Sequence, residues 1–331
     1  MSGSGSVRAL IYAFVALIFL YCVYVVVREW DSTAASLARL GLGGLMLVLG
    51  LSVFNYLLRA ARWHWLLKGL DEKVPWVDGT VCYLAGFALT VTPAKLGEAV
   101  KGYYLNKRHR VSYAHTVTAI VVERVADLIA MLLISLAALY VFENFRVFSV
   151  LFGVLLLTGI WVLVSGRALP LLQWIREKIS RGWFDAAFGF GVNVLDRTRA
   201  LMSRRVLLNA TLLGIVSWSA EAIAFAYIAG VVGIDVNILV LMGVFTLGML
   251  IGAASFIPGG VGSAELALIF MLQLFGASEA DAVFVALVSR VTTLWFAVLL
   301  GGMAMLMLGL PKGGLTGIAE QASQQENRGG E

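Results

Sequence analysis

Ile257-Pro258-Gly259-Gly260-Val261-Gly262-Ser263-Ala264-Glu265 breaks an apolar run that otherwise extends from Ile238 to Phe275. Thr92-Pro93-Ala94-Lys95-Leu96-Gly97-Glu98 breaks a second one that begins at Val77. Proline brings no N–H to a helix and glycine weakens it, so each break ends a helix inside an apolar region. The two breaks are alike. Pro93 with Gly97 and Pro258 with Gly262 have the same internal spacing and lie 165 residues apart, and a carboxylate follows each glycine, Glu98 and Glu265. Further on, Glu123-Arg124-Val125 with Leu128 is matched by Ser289-Arg290-Val291 with Leu294 at an offset of 166. A lone Pro-x-x-x-Gly match arises easily by chance, but this order and spacing point to a duplicated unit of about half the chain.

The rest of the composition sets the solvent for that unit. Of 331 residues, 60% are hydrophobic and 14% charged, against roughly 25% charged in soluble domains. A soluble globular protein is excluded, and disorder or a collagen-like repeat fits no better. The reading is an all-α polytopic membrane protein. Two cysteines, Cys22 and Cys82, lie in apolar runs sixty residues apart, which suits neither a disulfide framework nor a metal site. The formal charge of +5 flanks apolar segments instead of forming a patch, so no nucleic-acid partner is expected.

Apolar runs and basic loops predict the topology. Six crossings are expected at Val7 to Val27, Leu40 to Leu58, Ser112 to Phe142, Val147 to Ser165, Val206 to Val232 and Ala282 to Leu310. Basic residues gather in Arg59 to Lys73, Lys95 to Arg110 and Arg167 to Arg205, which the positive-inside rule places in the cytoplasm, with both termini on that side. Val77 to Thr92 is then too short to cross and must return. It reads as a re-entrant hairpin with Pro93 near its tip, and Ile238 to Phe275 as a second hairpin entering from the outer face. The halves would form an inverted repeat, an arrangement common in secondary transporters. Residues 1–6 and 311–331 read as disordered ends of one membrane domain, 7–310. Within it, 77–142 holds the first repeat's hairpin and helix, 167–205 is an amphipathic segment on the inner leaflet, and 238–310 holds the second repeat's hairpin and helix.

Charges inside the apolar runs carry the functional signal. Arg124 lies twelve residues into its segment, about 18 Å from the start at the helical rise. A lone arginine there is costly, so Arg124 and Arg290 must face protein, water or a ligand. Glu123 and Asp127 lie within helical reach of Arg124. In the second copy Ser289 and Thr293 replace those carboxylates, so Arg290 needs Glu265, Glu221 or a bound anion. Lys95, Arg124 and Arg290 are read as attracting an anionic headgroup, and Glu221 as a partner or a proton carrier. Arg62-Trp63-His64-Trp65 reads as an anchor at the headgroup level. No nucleophile, metal constellation or cofactor motif completes an active site, so an enzyme is not expected.

Arg62-Trp63 before a basic loop, Thr92-Pro93-x-Lys95-x-Gly97-Glu98, Glu123-Arg124-x-x-Asp127 and Pro258-Gly259-Gly260-x-Gly262-x-x-Glu265 together resemble the lysylphosphatidylglycerol synthase transmembrane family. The resemblance covers most of Val7 to Leu310. It implies lipid translocation, or a role with lipid-linked intermediates, and points to Pro93, Lys95, Glu98, Glu123, Arg124, Asp127, Pro258 and Glu265, with Gly259 and Gly260 in the same motif. The sequence ends about twenty residues after its last span, without the soluble aminoacyl-transfer domain of the full-length synthases, so lysyl transfer is not expected.

The expected protein is an inner-membrane transporter or flippase for an anionic phospholipid or lipid-linked phosphate. The alternative is an accessory protein or enzyme of polyprenyl-phosphate or glycolipid assembly. Anionic membrane lipids are the expected partners, with a second copy of the chain or a lipid-modifying enzyme as further candidates.

Overall fold

The computed structural model describes residues 20–21, 23–24, 26–92, 96–139 and 203–310, and a few between 147 and 158. The expected span at 7–27 lies largely outside them. So do the greater part of the span at 147–165, the amphipathic segment before 203, the two termini, residues Pro93 and Lys95, and the Glu98 side chain.

Among the described residues the fold is all helical. Helix α1 runs Trp30–Lys68, α2 Trp76–Ala85 with a 3₁₀ extension Gly86–Leu89, α3 Leu96–His109 and α4 Tyr113–Leu139. After the undescribed stretch come α5 Arg204–Val231, α6 Ile238–Ala254, α7 Ser263–Leu274, α8 Glu279–Arg290, a π segment Val291–Trp295 and α9 Phe296–Leu308. Side chains close several starts: Ser203, Asn237 and Ser278 each accept a backbone N–H of the first turn, as capping residues do.

Among the described residues three helical stretches are long and apolar enough to cross a bilayer: Trp30–Lys68, Arg204–Val231 and Glu279–Leu308. The apolar stretches Trp76–Leu89, Ile238–Ala254 and Pro258–Leu274 are shorter, and at 1.5 Å per residue none exceeds about 26 Å. The distribution of side chains is that of a membrane protein. Leu42, Phe270, Leu299 and Met307 are exposed, whereas Arg62, Lys101, Glu123 and Asp127 are buried. Apolar groups facing outward and charges facing inward suit a hydrocarbon solvent.

Shifted by about 165 residues, α1 to α4 fall in order on α5, α6, α7 and the α8–α9 run. The repeated order read from the two breaks therefore appears as a repeated order of elements, and α1 and α5 extend it. Packing is reciprocal. In the first unit α2 and its 3₁₀ extension lie against α9, and in the second α6 lies against α4, so each hairpin leans on the other unit's last helix. The related helices α1 and α5 pack on one another between them.

Small residues permit the closest approaches. A Cβ on Gly252 would stand 2.9 Å from Ala264 Cβ, and one on Gly248 2.6 Å from Leu268, so this Gly-x-x-x-Gly spacing lets α6 and α7 pack closely. A Cβ on Gly301 would come within 2.2 Å of the Ala88 backbone nitrogen, where α9 meets the 3₁₀ turn. The tips of the two breaks also touch: Gly259 lies against Val91, with a built Cβ 3.1 Å from Val91 Cγ1.

One boundary differs from the sequence reading. Arg59 and Arg62, counted as the start of a cytoplasmic loop, belong to α1, which continues to Lys68. Both are buried, so the loop is shorter and its positive charge rests on Lys68 and Lys73.

Candidate functional site

The site is built from the polar stripe of α1. Ser52, Asn55, Arg59 and Arg62 are spaced by three or four residues and are all buried, which places them on one helical face turned toward protein. Asn55 donates to the Ser217 carbonyl of α5 at 2.7 Å, and Tyr56 donates to the Thr293 carbonyl of the π segment at 2.5 Å. A π segment displaces the regular i to i+4 ladder and offers carbonyls to outside donors, a geometry frequent at functional sites.

Arg62 is fully buried. Its Nη2 lies 2.6 Å from Asp127 Oδ1 and 3.5 Å from Glu123 Oε1, and its Nη1 donates to the Ala210 carbonyl at 3.2 Å. It passes beside Gly214, where a Cβ would stand 3.0 Å from Nη1. Glycine is thus the residue that lets the guanidinium cross α5. Arg59 is held more loosely, with Nη2 3.4 Å from both Glu123 and Asp127 and its guanidinium 5.5 Å from the Trp218 ring centroid. Tyr83 of α2 donates to Glu123 Oε1 at 2.6 Å. Lys101 of α3 lies 3.7 Å from Glu123 Oε2 and 4.1 Å from the Tyr83 ring centroid. Three cations and two carboxylates thus join α1, α2, α3 and α4.

This corrects two sequence readings. Arg62-Trp63 is no headgroup anchor, since both residues are fully buried. Glu123 and Asp127 take Arg59, Arg62 and Lys101 as their main partners, while the Arg124 side chain is 43% exposed and lies 3.9 Å from Asp127. Arg124 sits one position, about 100°, round the helix from Glu123, so it does not share the direction in which Glu123 meets Arg59 and Arg62. Arg59, Arg62 and Lys101 were not among the candidate site residues read from the sequence, where Arg62 stood as an anchor and a family motif, although the α1 polar stripe was the signal that could have found two of them.

The second cluster sits at the Pro258 break. Arg290 Nε donates to Glu265 Oε1 at 2.7 Å, and Nη2 donates to the Gly259 carbonyl at 2.5 Å. Glu265 Oε2 accepts the Gly262 N–H at 2.6 Å. One carboxylate therefore both caps α7 and holds the arginine. Gly259, Gly260 and Gly262 have φ of +65°, +62° and +89°, a region that favours glycine. Of the alternatives open for Arg290, the structure places it on Glu265, so it is a resident pair and not an arginine awaiting an anion. Pro258 opens the turn beneath it. Glu221, on α5, is buried and lies within electrostatic range of Arg59 and Arg290. It stands between the clusters.

Residues 9–301 match the family described as the lysylphosphatidylglycerol synthase TM region. The chain is 24% identical over 321 residues to the UPF0104 membrane protein of Pyrococcus horikoshii, covering 88% of this chain and 96% of that protein. It is 23% identical over 316 residues to Glycosyltransferase AglD of Haloferax volcanii, covering 83% of this chain and 50% of that protein. Over 69 residues it is 35% identical to a phosphatidylglycerol lysyltransferase of Staphylococcus epidermidis, 21% of this chain and 8% of that one.

Proposed function

This chain belongs to the lysylphosphatidylglycerol synthase transmembrane family, and on that basis we propose that it moves an anionic lipid between leaflets, with the headgroup phosphate received between its two repeat units. The observation that carries this reading is Arg59. Its guanidinium is buried, yet both carboxylate contacts are long at 3.4 Å, and Nε has no hydrogen-bond acceptor among the described residues. A charge-assisted pair at full strength is shorter, about 2.7–2.9 Å. Arg59 therefore has donor capacity for a phosphate oxygen, and it sits next to Trp218 of the second unit. Arg124, whose side chain is 43% exposed beside Asp127, belongs to the approach to it in this proposal, and the chain itself lies in the cell membrane with the hairpins opening to opposite faces.

The reciprocal packing supports this use of the fold. If each hairpin leans on the last helix of the other unit, a shift at one break moves the other, which is what alternating access between leaflets requires. The similarity to a glycosyltransferase of Haloferax volcanii supports a second reading, a polyprenyl phosphate as the carried lipid or as the lipid presented to an enzyme. The same arginine would meet the same phosphate.

The test uses purified protein in vesicles carrying fluorescent phosphatidylglycerol in one leaflet. Arg59→Gln leaves Glu123 and Asp127 paired with Arg62 and Lys101, so the variant should fold normally and slow lipid movement at least tenfold. Movement at the normal rate would exclude the assignment. The same vesicles with a labelled polyprenyl phosphate separate the two lipids.

A further inference from the structure

Eight charged side chains are buried among the described residues: Arg59, Arg62, Lys101 and Arg290, and Glu123, Asp127, Glu221 and Glu265. The charges balance, four against four. Seven of these groups have an opposite charge within 4.0 Å. Glu221 stands apart, because its carboxylate makes no hydrogen bond or ion pair among the described residues although it is 5% exposed.

Its surroundings are defined from each helix packed on α5. One turn before it, Ser217 is bonded to Asn55 and Trp218 lies against Arg59, so this face of α5 looks onto α1 at the height of Arg59. The ionisable groups around Glu221 are Arg59 and the Tyr56 phenol from α1, Asp127 from α4 and Arg290 from α8. Helix α6 carries no ionisable residue. An ionised Glu221 thus neutralises the surplus cation of the first cluster from a distance, without occupying Arg59.

This balance constrains any anion that enters. A phosphate arriving at Arg59 would add a negative charge to a buried set that is neutral among the described residues, at a large desolvation cost. The cheapest compensation is a proton on the one carboxylate without an ion-pair partner. We propose that Glu221 is the proton-coupling group of this site: binding of a phosphate-bearing anion at Arg59 is accompanied by uptake of one proton on Glu221, and departure of the anion releases it. This inference rests on the anionic-lipid reading above and specifies its coupling. No covalent step is involved, since the carboxylate gains the proton that the bulk solvent loses. Glu221 acts through the charge of the site, as a coupling residue beside the anion.

The experiment measures binding of short-chain phosphatidylglycerol to the full-length protein in detergent, by calorimetry in two buffers of different ionisation enthalpy, between pH 5.5 and 8.5. Wild type should take up one proton per lipid where Glu221 titrates, and its affinity should fall about tenfold per pH unit above that point. Glu221→Gln should take up none and bind with one affinity at every pH, near the wild-type value at low pH. Glu221→Asp should restore the slope. Inorganic sulfate, an anion that does not itself titrate in this range, is tested in parallel: a proton-linked signal with lipid alone identifies a headgroup site, and one with sulfate alone a free-anion site. Lipid binding to wild type without proton uptake, or a retained slope in Glu221→Gln, would overturn the coupling while leaving the lipid site standing. Absence of binding by either probe at every pH would overturn both.

Discussion

Arg62 and Arg124 are both arginines within reach of Asp127, and burial separates them. Arg62 is fully enclosed and 2.6 Å from its partner. Its removal leaves Asp127 without its short contact, so Arg62→Ala should cost about 3–5 kcal/mol, the range for breaking a buried pair. The Arg124 side chain is 43% exposed, and water screens what it meets, so Arg124→Ala should cost clearly less than Arg62→Ala, on the order of 1 kcal/mol. A thermal-shift comparison in detergent checks the order, and equal melting of the two variants would contradict it. The same logic applies at the second break. Arg290→Ala strands Glu265 and the Gly259 carbonyl and should melt early by a similar margin, while adding Glu265→Gln should recover part of the loss because the uncompensated charge is gone.

Helix length and helix contact decide what the hairpins do. The α2 run with its 3₁₀ turn is short for a crossing, and α3 returns from the Pro93 break to the basic segment Lys107–His109. Lys68 and Lys107 are therefore expected in one compartment. Lys68→Cys and Lys107→Cys, each in a background lacking Cys22 and Cys82, should react alike with an impermeant thiol reagent applied to intact cells, and labelling of one alone would make the first hairpin a crossing. Close packing gives a second prediction. Gly301 has no room for a side chain beside Ala88, so Gly301→Val should separate α9 from the 3₁₀ turn and cost about 1–3 kcal/mol as an overpacked contact. Gly302, with nothing within 4 Å of a built Cβ, should accept the same change with little effect on melting.

Across the whole molecule, the two units meet at their breaks. Val91 and Gly259 touch, although 168 residues separate them in the sequence. If lipid movement needs the tips to part, the double variant Val91→Cys with Gly259→Cys should form a disulfide under mild oxidation and move lipid more slowly than the same variant when reduced, which sets the baseline because a side chain at the φ of +65° of Gly259 strains the turn. Full movement in the oxidised, cross-linked protein would show that the tips stay together during transport. A repeat is legible in a sequence because duplicated segments keep their order. The contact between tips is not, because it depends on how the units turn toward one another.

Membrane solvent, helical class, the two breaks and the duplicated order followed from the sequence alone, because hydropathy, proline and glycine act over a few neighbouring residues. Glu265 was also recoverable as a candidate for Arg290, since an intramembrane arginine demands a carboxylate and few were available. Partner choice was different. Glu123, Arg124 and Asp127 looked self-sufficient along one helix, yet the carboxylates chose Arg59 and Arg62, more than sixty residues away. Side chains adjacent in a helical sequence point about 100° apart, so Glu123 faces α1 and Arg124 does not. Tertiary packing decided which face met protein, and with it which arginine was buried, which was left at the edge, and why Glu221 stands between the clusters without an ion-pair partner among the described residues.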